Sequence, residues 1–317
     1  MNYTPYNIKE VEMLKDIINK DKLAMDSLII YSKDGGILYE NLDHKIINVR
    51  SIAKLVTSLA CGVLIGKSNS DFNEDTLIYD ILKNKVNISN RKNLKKLKNI
   101  KVKDCLTHTM GYRDIILMSK DIENINKDEL LSYAMSYPLY FKPGEEFLYS
   151  NAGYYILAAA MEEYLDSSLY DFIDENIFER LDIKSPRWDS YGKYLAGATK
   201  LYLDAEDLLE LGKLILNKGL YDQEQIVSSS YIEKMCQNLY KNEKDYIDSS
   251  YLSDDYYGYS LWTGKDGIKY ASGSGGQYVI ILEKEGVVIV ATNGGPSEKV
   301  PIIKRQIDEI IKNIKEV

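Results

Sequence analysis

The sequence has little histidine and little cysteine. Among 317 residues there are two histidines, His44 and His108, and three cysteines, Cys61, Cys105 and Cys236. Two histidines give a Ser-His-Asp triad few candidates, and no G-x-S-x-G elbow precedes either of them. Scattered cysteines without a C-x-x-C pair argue against a zinc site and favour free thiols in a reducing compartment. We therefore expect no metal and no other cofactor.

Long apolar runs and a surplus of positive charge are also lacking. Nowhere do about eighteen apolar residues follow one another, and the N-terminal segment has no apolar signal-peptide core. The net charge is −8, whereas nucleic-acid binders usually carry a basic surplus. The lysine-rich stretch 90–104 has apolar residues too sparse for a membrane-binding helix and indicates a solvated surface segment. These absences predict a cytoplasmic protein that binds neither nucleic acid nor membranes.

The spacing of apolar and turn-forming residues changes along the chain. Apolar spacing predicts an amphipathic helix over residues 8–20, and two β-rich runs flank a hairpin signal at Asp34-Gly35-Gly36. Residues 68–190 are mainly helical and loop-rich, and a further helix is predicted from residue 204 to Gly219. Strand signals return at "GYSLWTG", "QYVIILEKEG" and "VVIVATNGG", and an amphipathic helix ends the chain.

Strands at both ends and helices in the centre predict an α+β fold. One antiparallel sheet would be built from both chain ends and flanked by helices, and the middle would form a mainly helical lobe. We expect a single domain over residues 1–317, with an α/β lobe of about 1–67 and 191–317 and a helical lobe of about 68–190. A cleft between two such lobes is a common place for a binding site.

The segment "VRSIAKLVTSLACGVLIG", residues 49–66, places a lysine in an apolar helix. Ser51 and Lys54 stand at i and i+3, so their side chains can come within hydrogen-bond distance on one helix face. Burial lowers the pKa of a lysine, and a neutral lysine can accept the proton of a serine nucleophile. The plainer interpretation is a core helix whose lysine extends to the surface. Neither of the other two copies of the S-x-x-K pattern opens an apolar helix; they are Ser89/Lys92 and Ser190/Lys193.

Two more segments carry residues suited to chemistry. Tyr149-Ser150-Asn151 follows a Pro-Gly turn and precedes an apolar helix, although most of the 27 tyrosines are expected to serve packing. The glycines of Ser272-Gly273-Ser274-Gly275-Gly276 lead into an alternating strand and would let a ligand approach the backbone closely. No helix and no Gly-Lys-Ser/Thr follows them, which excludes a phosphate loop. A bulged strand edge without function is the other interpretation of this stretch.

In order and spacing, three segments resemble the motifs of the serine β-lactamase and penicillin-binding-protein superfamily; they are Ser51-Ile52-Ala53-Lys54, Tyr149-Ser150-Asn151 and Ser274-Gly275-Gly276. The tyrosine of the second motif is similar to that of the class C-type branch, which includes esterases, amidases and D-amino-acid peptidases. The resemblance spans residues 28–295 and includes intervening segments such as "VKDCLTHTMGY" and "YGYSLW". It implies the β-lactamase/transpeptidase-like fold.

The resemblance also implies a role for each matching residue. Ser51 would be the nucleophile, Lys54 the base that activates it, and Tyr149 the group that passes a proton to the leaving group and activates water. Asn151 would orient Lys54 and the substrate amide. Backbone N–H groups of Ser51 and Gln277 would form the oxyanion hole, where charge develops in the transition state. The other residues expected at the pocket are Ser274, Gly275, Gly276, Trp262 and Tyr112.

One departure from the family pattern lies in the strand motif. Most members have Lys-Thr-Gly there, with a lysine that helps hold the substrate's carboxylate, whereas this chain has Ser274-Gly275-Gly276. We therefore expect a serine hydrolase that acts on an ester or amide bond of a small molecule through a covalent acyl-enzyme, and not a true β-lactamase. Acyl transfer or D-amino-acid peptidase activity on the same fold stays open, as does a catalytically silent penicillin-binding-like protein. The oligomeric state also stays open.

Overall fold

The structure is a computed structural model that describes Ile18 and residues 23–316. The helix predicted over residues 8–20 lies outside the described residues apart from Ile18, whose side chain is buried in an apolar cluster with strand residues. Among the described residues, no helix is both long enough and apolar enough to cross a membrane.

The long strands lie near the two ends of the chain, and short strands lie between them. The strands of the described residues are Ser27–Ser32 (β1), Gly36–Asn41 (β2), Ile47–Asn48 (β3), Arg187–Trp188 (β4), Ser190–Tyr191 (β5), Tyr194–Leu195 (β6), Leu201–Leu203 (β7), Leu220–Tyr221 (β8), Glu224–Gln225 (β9), Tyr240–Lys241 (β10), Tyr256–Tyr257 (β11), Trp262–Thr263 (β12), Lys269–Gly273 (β13), Gln277–Leu282 (β14) and Val287–Thr292 (β15).

The α-helices concentrate in the middle of the chain, with a long one at its end. Within the described residues they are Ala53–Lys67 (α1), Ile78–Leu82 (α2), Leu94–Leu97 (α3), Val102–Leu106 (α4), Ser119–Ile122 (α5), Leu130–Ser136 (α6), Ala152–Leu165 (α7), Leu169–Ile173 (α8), Ala205–Leu216 (α9), Ser229–Met235 (α10) and Val300–Glu316 (α11). The helix expected to reach Gly219 therefore ends at Leu216, and Gly219 follows with a φ of +82°.

The largest sheet joins the two ends of the chain. Its strands run antiparallel in the order β10-β11-β12-β13-β14-β15-β1-β2, so β1 pairs with β15 across most of the sequence. The hairpin predicted at Asp34-Gly35-Gly36 connects β1 to β2, and Gly36 adopts a φ of +71° there. The α+β fold with one sheet built from both chain ends is thus confirmed.

Both faces of this sheet are covered by helices. Helix α11 buries five isoleucines in the cluster that contains one sheet face; they are Ile303, Ile307, Ile310, Ile311 and Ile314. Each fully buried isoleucine contributes about 1.5–3 kcal/mol relative to an exposed one. Helix α9 packs on the other face, where a Cβ added to Gly212 would lie 2.5 Å from Val288 Cγ1. Because helices lie on both faces, β14 and β15 are buried at every position.

The central helices share one apolar core with the sheet. Helices α1 and α7 consist mostly of buried residues and belong to the same cluster as the α9 side of the sheet. The division into two lobes at residues about 67 and 191 stays a prediction. One strand prediction is wrong in detail: "GYSLWTG" holds only β12, after a turn in which the Gly258 N–H donates to the Leu261 carbonyl at 2.9 Å.

Candidate active site

Helix α1 is preceded by a strained turn that carries Ser51. Residues Arg50–Ile52 form one 3₁₀ turn that leads directly into the helix. Arg50 has a φ of +54°, which is unfavourable for a residue with a side chain, and its N–H donates to Asn48 Oδ1 at 2.9 Å. Such strain persists only where the surrounding structure imposes it, often at functional sites. The turn holds the half-buried Ser51 at the entrance to a buried helix.

Strand β13 passes very close to this turn because Gly273 has no side chain. A Cβ at Gly273 would lie 2.7 Å from the Val49 carbonyl oxygen and 3.2 Å from Arg50 Cβ. Real Cβ atoms do not tolerate the first of these distances, so any other residue would move the strand away from the turn. The glycine therefore sets the distance between the end of β13 and Ser51.

The Lys54 side chain is buried, with 1% of its surface exposed. Its Nζ donates to Ser51 Oγ at 3.1 Å, as the i,i+3 spacing predicted, and to the Ala198 carbonyl at 3.2 Å. A third bond, of 2.8 Å, goes to Asn151 Oδ1, and no carboxylate among the described residues pairs with the ammonium group. Burial lowers the pKa of Lys54 to about 7. A large share of the molecules therefore carries a neutral amine near neutral pH, next to the serine hydroxyl.

Tyr149 meets the same serine from another direction. Its ring centroid lies 4.8 Å from Lys54 Nζ, and its hydroxyl is close enough to the Ser51 side chain for Ser51 to lower its pKa. Trp262 stacks on the ring, with the centroids 5.3 Å apart and the planes 28° from parallel. Burial raises the pKa of Tyr149 to about 12, against a smaller lowering by the Ser51 side chain. The phenol therefore keeps its proton near neutral pH and can donate it.

Asn151 joins Lys54 to the loop before α5. It stands immediately before α7, is buried, and accepts from Lys54 through Oδ1 while Nδ2 donates to the Leu117 carbonyl at 2.9 Å. Because a lysine only donates and a carbonyl only accepts, these two partners fix which way the amide points. Leu117 itself has a φ of +60°, so this bond holds a strained loop in place.

The turn between β13 and β14 is held by its own polar groups. Ser274 is exposed, and Gly276 has a φ of +90° that favours glycine. The Gly275 N–H donates to Gln277 Oε1 at 3.1 Å, and Gln277 Nε2 donates to the carbonyl of Asn293. Asn293 Nδ2 returns a bond of 2.7 Å to the Gly275 carbonyl. The turn is therefore rigid where it leaves the strand that approaches Ser51.

The structure does not bring Tyr112 to this cluster. Tyr112 lies in the core, where its hydroxyl donates to the Ala134 carbonyl at 2.8 Å and its ring meets the edge of Tyr137. No contact among the described residues joins it to Ser51 or Lys54, so its expected place at the pocket wall stays a prediction. Trp262, in contrast, contacts the cluster through Tyr149.

The residue patterns of the sequence did not identify two groups that lie at the site. The carbonyl of Ala198 is one of three acceptors around Lys54, and a backbone acceptor leaves no signature in a residue pattern. His108, which the sequence indicated only as a possible member of a triad, lies buried with its ring centroid 4.5 Å from that of Tyr149. The apolar residues around it in "CLTHTMGY" are the one signal that pointed to burial.

The arrangement is suited to nucleophilic catalysis by serine. A hydroxyl contacts both a neutral amine that can accept its proton and a phenol that can donate one. Among Ile18 and residues 23–316, no group of three histidine, cysteine, aspartate or glutamate side chains is placed to hold a metal ion.

Most of the chain matches a known protein family by sequence. The model of the β-lactamase family matches residues 43–311. Among curated proteins, no relative matches by sequence.

Solved structures share the fold at low sequence identity. A candidate β-lactamase from Bacteroides dorei superposes with a TM-score of 0.74 at 17% identity, over 97% of this chain and 99% of that one. EstCE1, a hydrolase with promiscuous acyltransferase activity, gives 0.72 at 15%, over 96% and 97%. A penicillin-binding protein from Bacillus halodurans gives 0.70 at 17%, over 93% and 99%. At these identities the likeness establishes the fold alone.

Proposed function

Because the chain belongs to the β-lactamase family, we propose that it is a serine hydrolase that cleaves an ester or amide bond of a small molecule through a covalent acyl-enzyme. The observation that carries the proposal is the buried Lys54, whose Nζ lies 3.1 Å from Ser51 Oγ and has no carboxylate partner among the described residues. An amine in this position with a pKa of about 7 is a base matched to the activation of serine at neutral pH.

Acylation uses both neighbours of the serine. Lys54 takes the proton of Ser51 as Oγ forms a bond to the substrate's carbonyl carbon. As the bond from that carbon to the leaving group breaks, Tyr149 gives its proton to the leaving oxygen or nitrogen. The products are an acyl-serine, a protonated Lys54, a phenolate at Tyr149 and a free alcohol or amine. The high pKa of Tyr149 supports this order, because the phenol is protonated when the cycle begins.

Deacylation reverses the two proton movements. Water attacks the acyl carbon and gives a proton to the Tyr149 phenolate, which is the stronger base of the pair. The bond from the carbonyl carbon to Ser51 Oγ breaks, and Oγ takes the proton back from Lys54. All three side chains return to their starting protonation states, so one water is consumed for each bond cleaved. Asn151 contributes by holding Lys54 through the 2.8 Å hydrogen bond.

The oxyanion hole is assigned to the backbone N–H groups of Ser51 and Gln277. This assignment comes from the family resemblance. It is supported by the close packing of β13 on the Ser51 turn at Gly273 and by the rigid turn that leads to Gln277 at the start of β14. Fixed donors at the developing negative charge usually contribute more to catalysis than any other single group.

We further propose a neutral substrate of the kind cleaved by class C-type esterases or amidases rather than a β-lactam. Position 274 carries an exposed serine instead of the lysine that holds a carboxylate in most relatives. Two other cations, Lys269 and Arg113, contact neutral groups of the protein. Lys269 Nζ donates to Asn238 Oδ1 and Thr263 Oγ1, and the Arg113 guanidinium lies 5.4 Å from the centroid of the Tyr140 ring.

The test is covalent labelling with a fluorophosphonate probe followed by peptide mapping. The expected result is one modified residue, Ser51, with labelling and p-nitrophenyl ester hydrolysis both lost in Ser51→Ala. Ser190→Ala changes the serine of another S-x-x-K copy and is the matched control, which should retain both. Labelling that maps elsewhere, or that persists in Ser51→Ala, would contradict the mechanism.

A further inference from the structure

His108 occupies a position that the proposed chemistry does not use. Only 4% of it is exposed, and its ring lies among four aromatic rings, those of Phe147, Tyr149, Tyr154 and Tyr257. Its Nε2 is 3.1 Å from the Tyr257 hydroxyl, whereas its buried Nδ1 has no hydrogen-bond partner among the described residues. Buried polar atoms without a partner are rare and costly, so such an atom next to a candidate active site calls for an explanation.

Burial decides which nitrogen of the His108 ring carries the proton. A buried N–H without an acceptor is rarer than a buried acceptor without a donor, and Nδ1 has no hydrogen-bond partner among the described residues. The proton is therefore on Nε2, which donates to the Tyr257 hydroxyl at 3.1 Å, and Nδ1 carries a lone pair.

The imidazole ring of His108 is uncharged. Burial, assisted by the positive charge of Lys54, holds the pKa of His108 well below its usual range. Burial likewise holds the pKa of Tyr257 well above its usual range, so His108 and Tyr257 add no charge beside Lys54. The titratable groups that face His108 are Lys54, Tyr149, Tyr154 and Tyr257.

His108 also holds the segment that presents Tyr149. Its ring centroid is 4.5 Å from that of Tyr149, shorter than the 5.3 Å to Trp262 and the 5.8 Å to Tyr257. Its carbonyl accepts from the N–H of Leu148, the residue directly before Tyr149, at 3.0 Å. The histidine therefore contacts both the ring and the backbone of this segment, and the bond to Tyr257 fixes the plane of the imidazole that touches the phenol.

We propose that His108 is a positioning residue for Tyr149: a neutral, Nε2-protonated imidazole, fixed by Tyr257, that holds the phenol beside Ser51. This inference rests on the proposed serine-hydrolase function, and it assigns His108 no proton transfer. A displacement of about 1 Å at a catalytic group can cost about a hundredfold in rate, so loss of the anchor should act on kcat.

The first test measures the histidine itself and needs no substrate. The chain holds two histidines, so the ¹⁵N spectrum of histidine-labelled protein contains one ring besides that of His44, and His108→Gln assigns it. The expected result is an Nε2–H tautomer at His108 that stays neutral between about pH 5 and 8. An Nδ1–H tautomer, or a charged ring within this interval, would overturn the proposal.

The second test separates orientation from packing by kinetics of p-nitrophenyl ester hydrolysis. Tyr257→Phe keeps the ring but removes the acceptor for His108, and it should lower kcat roughly ten- to a hundredfold with KM unchanged. His108→Leu should cause a similar loss, and the double variant should lose little more, because both changes break one unit. His108→Gln can donate again from a nitrogen near the position of Nε2 and should recover most of the rate.

Exposed His44, changed to glutamine, is the matched control and should behave as the unchanged protein. Normal kcat in Tyr257→Phe with normal folding would overturn the positioning role and leave the proposed function intact. If His108→Leu fails to fold, Tyr257→Phe and the tautomer still decide. An unchanged protein that neither labels at Ser51 nor hydrolyses the ester would refute the proposed function, and this inference with it.

Discussion

The pairs Ser51/Lys54 and Ser190/Lys193 have the same spacing and opposite surroundings. Lys54 is buried, bonded to Ser51, and without a carboxylate partner among the described residues. Lys193 lies in the β5–β6 hairpin with 60% of its side chain exposed, and its ammonium group is paired with Glu163. The spacing brings the two side chains together only on a helix, and only burial without a counter-charge makes a lysine ready to give up its proton. The surroundings, rather than the pattern, distinguish the candidate base.

The largest expected effect comes from removing the amine in each region. Lys54→Met keeps the length and burial of the side chain but removes the base, and it should lower kcat/KM for a p-nitrophenyl ester by about 10²–10⁴-fold. Lys193→Met removes one of two lysines paired with Glu163, which keeps Lys85 and the Tyr194 hydroxyl as partners, and should leave the rate unchanged. Thermal unfolding of both variants provides the folding control. Equal rates for the two variants would remove the distinction between the regions.

The pattern Tyr-x-Asn of the second motif also occurs at Tyr240-Lys241-Asn242, which allows a parallel comparison. Tyr149→Phe removes the hydroxyl beside Ser51 and should lower kcat by more than about a hundredfold, while the retained ring leaves KM nearly unchanged. Tyr240→Phe removes a hydroxyl that donates to the Gly144 carbonyl at 3.0 Å, and it should cost only about 0.5–1.5 kcal/mol of stability. An unaltered rate in Tyr149→Phe would make Tyr149 a packing residue like most other tyrosines.

Local patterns predicted much of the fold. The runs of β-branched residues in β1, β14 and β15 and the Gly-containing turn before β2 are local signals, and the structure has strands and a hairpin there. The i,i+3 contact between Ser51 and Lys54 also follows from helix geometry once a helix is assumed. Such features depend on residues within a few positions of one another.

The rest of the site depends on contacts that no local pattern carries. Asn151 lies 97 positions from Lys54 and Ala198 lies 144 positions away, so their convergence needs the complete fold. The family resemblance indicated Asn151, because a side chain identifies a motif, but a backbone carbonyl such as that of Ala198 leaves no motif. His108 was missed for a related reason, since its burial results from rings contributed by distant segments.

Ser274→Lys would test whether the lysine of the family strand motif serves chiefly to hold a substrate carboxylate. Ser274 is exposed, so Ser274→Lys should carry an ammonium group that attracts a substrate carboxylate. The expected shift in kcat/KM is about ten- to a hundredfold towards an ester with a carboxylate near the scissile bond, relative to a neutral one. This corresponds to a charge-assisted hydrogen bond of about 1.5–3 kcal/mol.

Ser274→Met has a similar length without charge and should show no such shift. High salt should reduce the preference of Ser274→Lys, because it screens exposed charges. If the unchanged protein already prefers the acidic ester strongly, another cation holds the carboxylate, and the proposal of a neutral substrate is wrong.

The two lysines can be made alike by giving Lys54 a carboxylate partner, as Lys193 has in Glu163. In the unchanged protein, kcat/KM should reach half its plateau at about pH 7 and fall tenfold for each unit below, because protonated Lys54 cannot accept the serine proton.

Asn151→Asp places a carboxylate at the atom now 2.8 Å from Nζ. An opposite charge favours the ammonium form and raises the pKa of the lysine by about 1–3 units, so the acid limb should move to higher pH. The rate at pH 7 should then fall about fivefold or more and recover as the pH rises. Asn151→Ala loses the same hydrogen bond without adding charge, so its limb should not move upwards. His108 cannot produce the limb, because burial keeps its pKa well below this range. A limb that stays near pH 7 in Asn151→Asp would show that a group other than Lys54 is titrating.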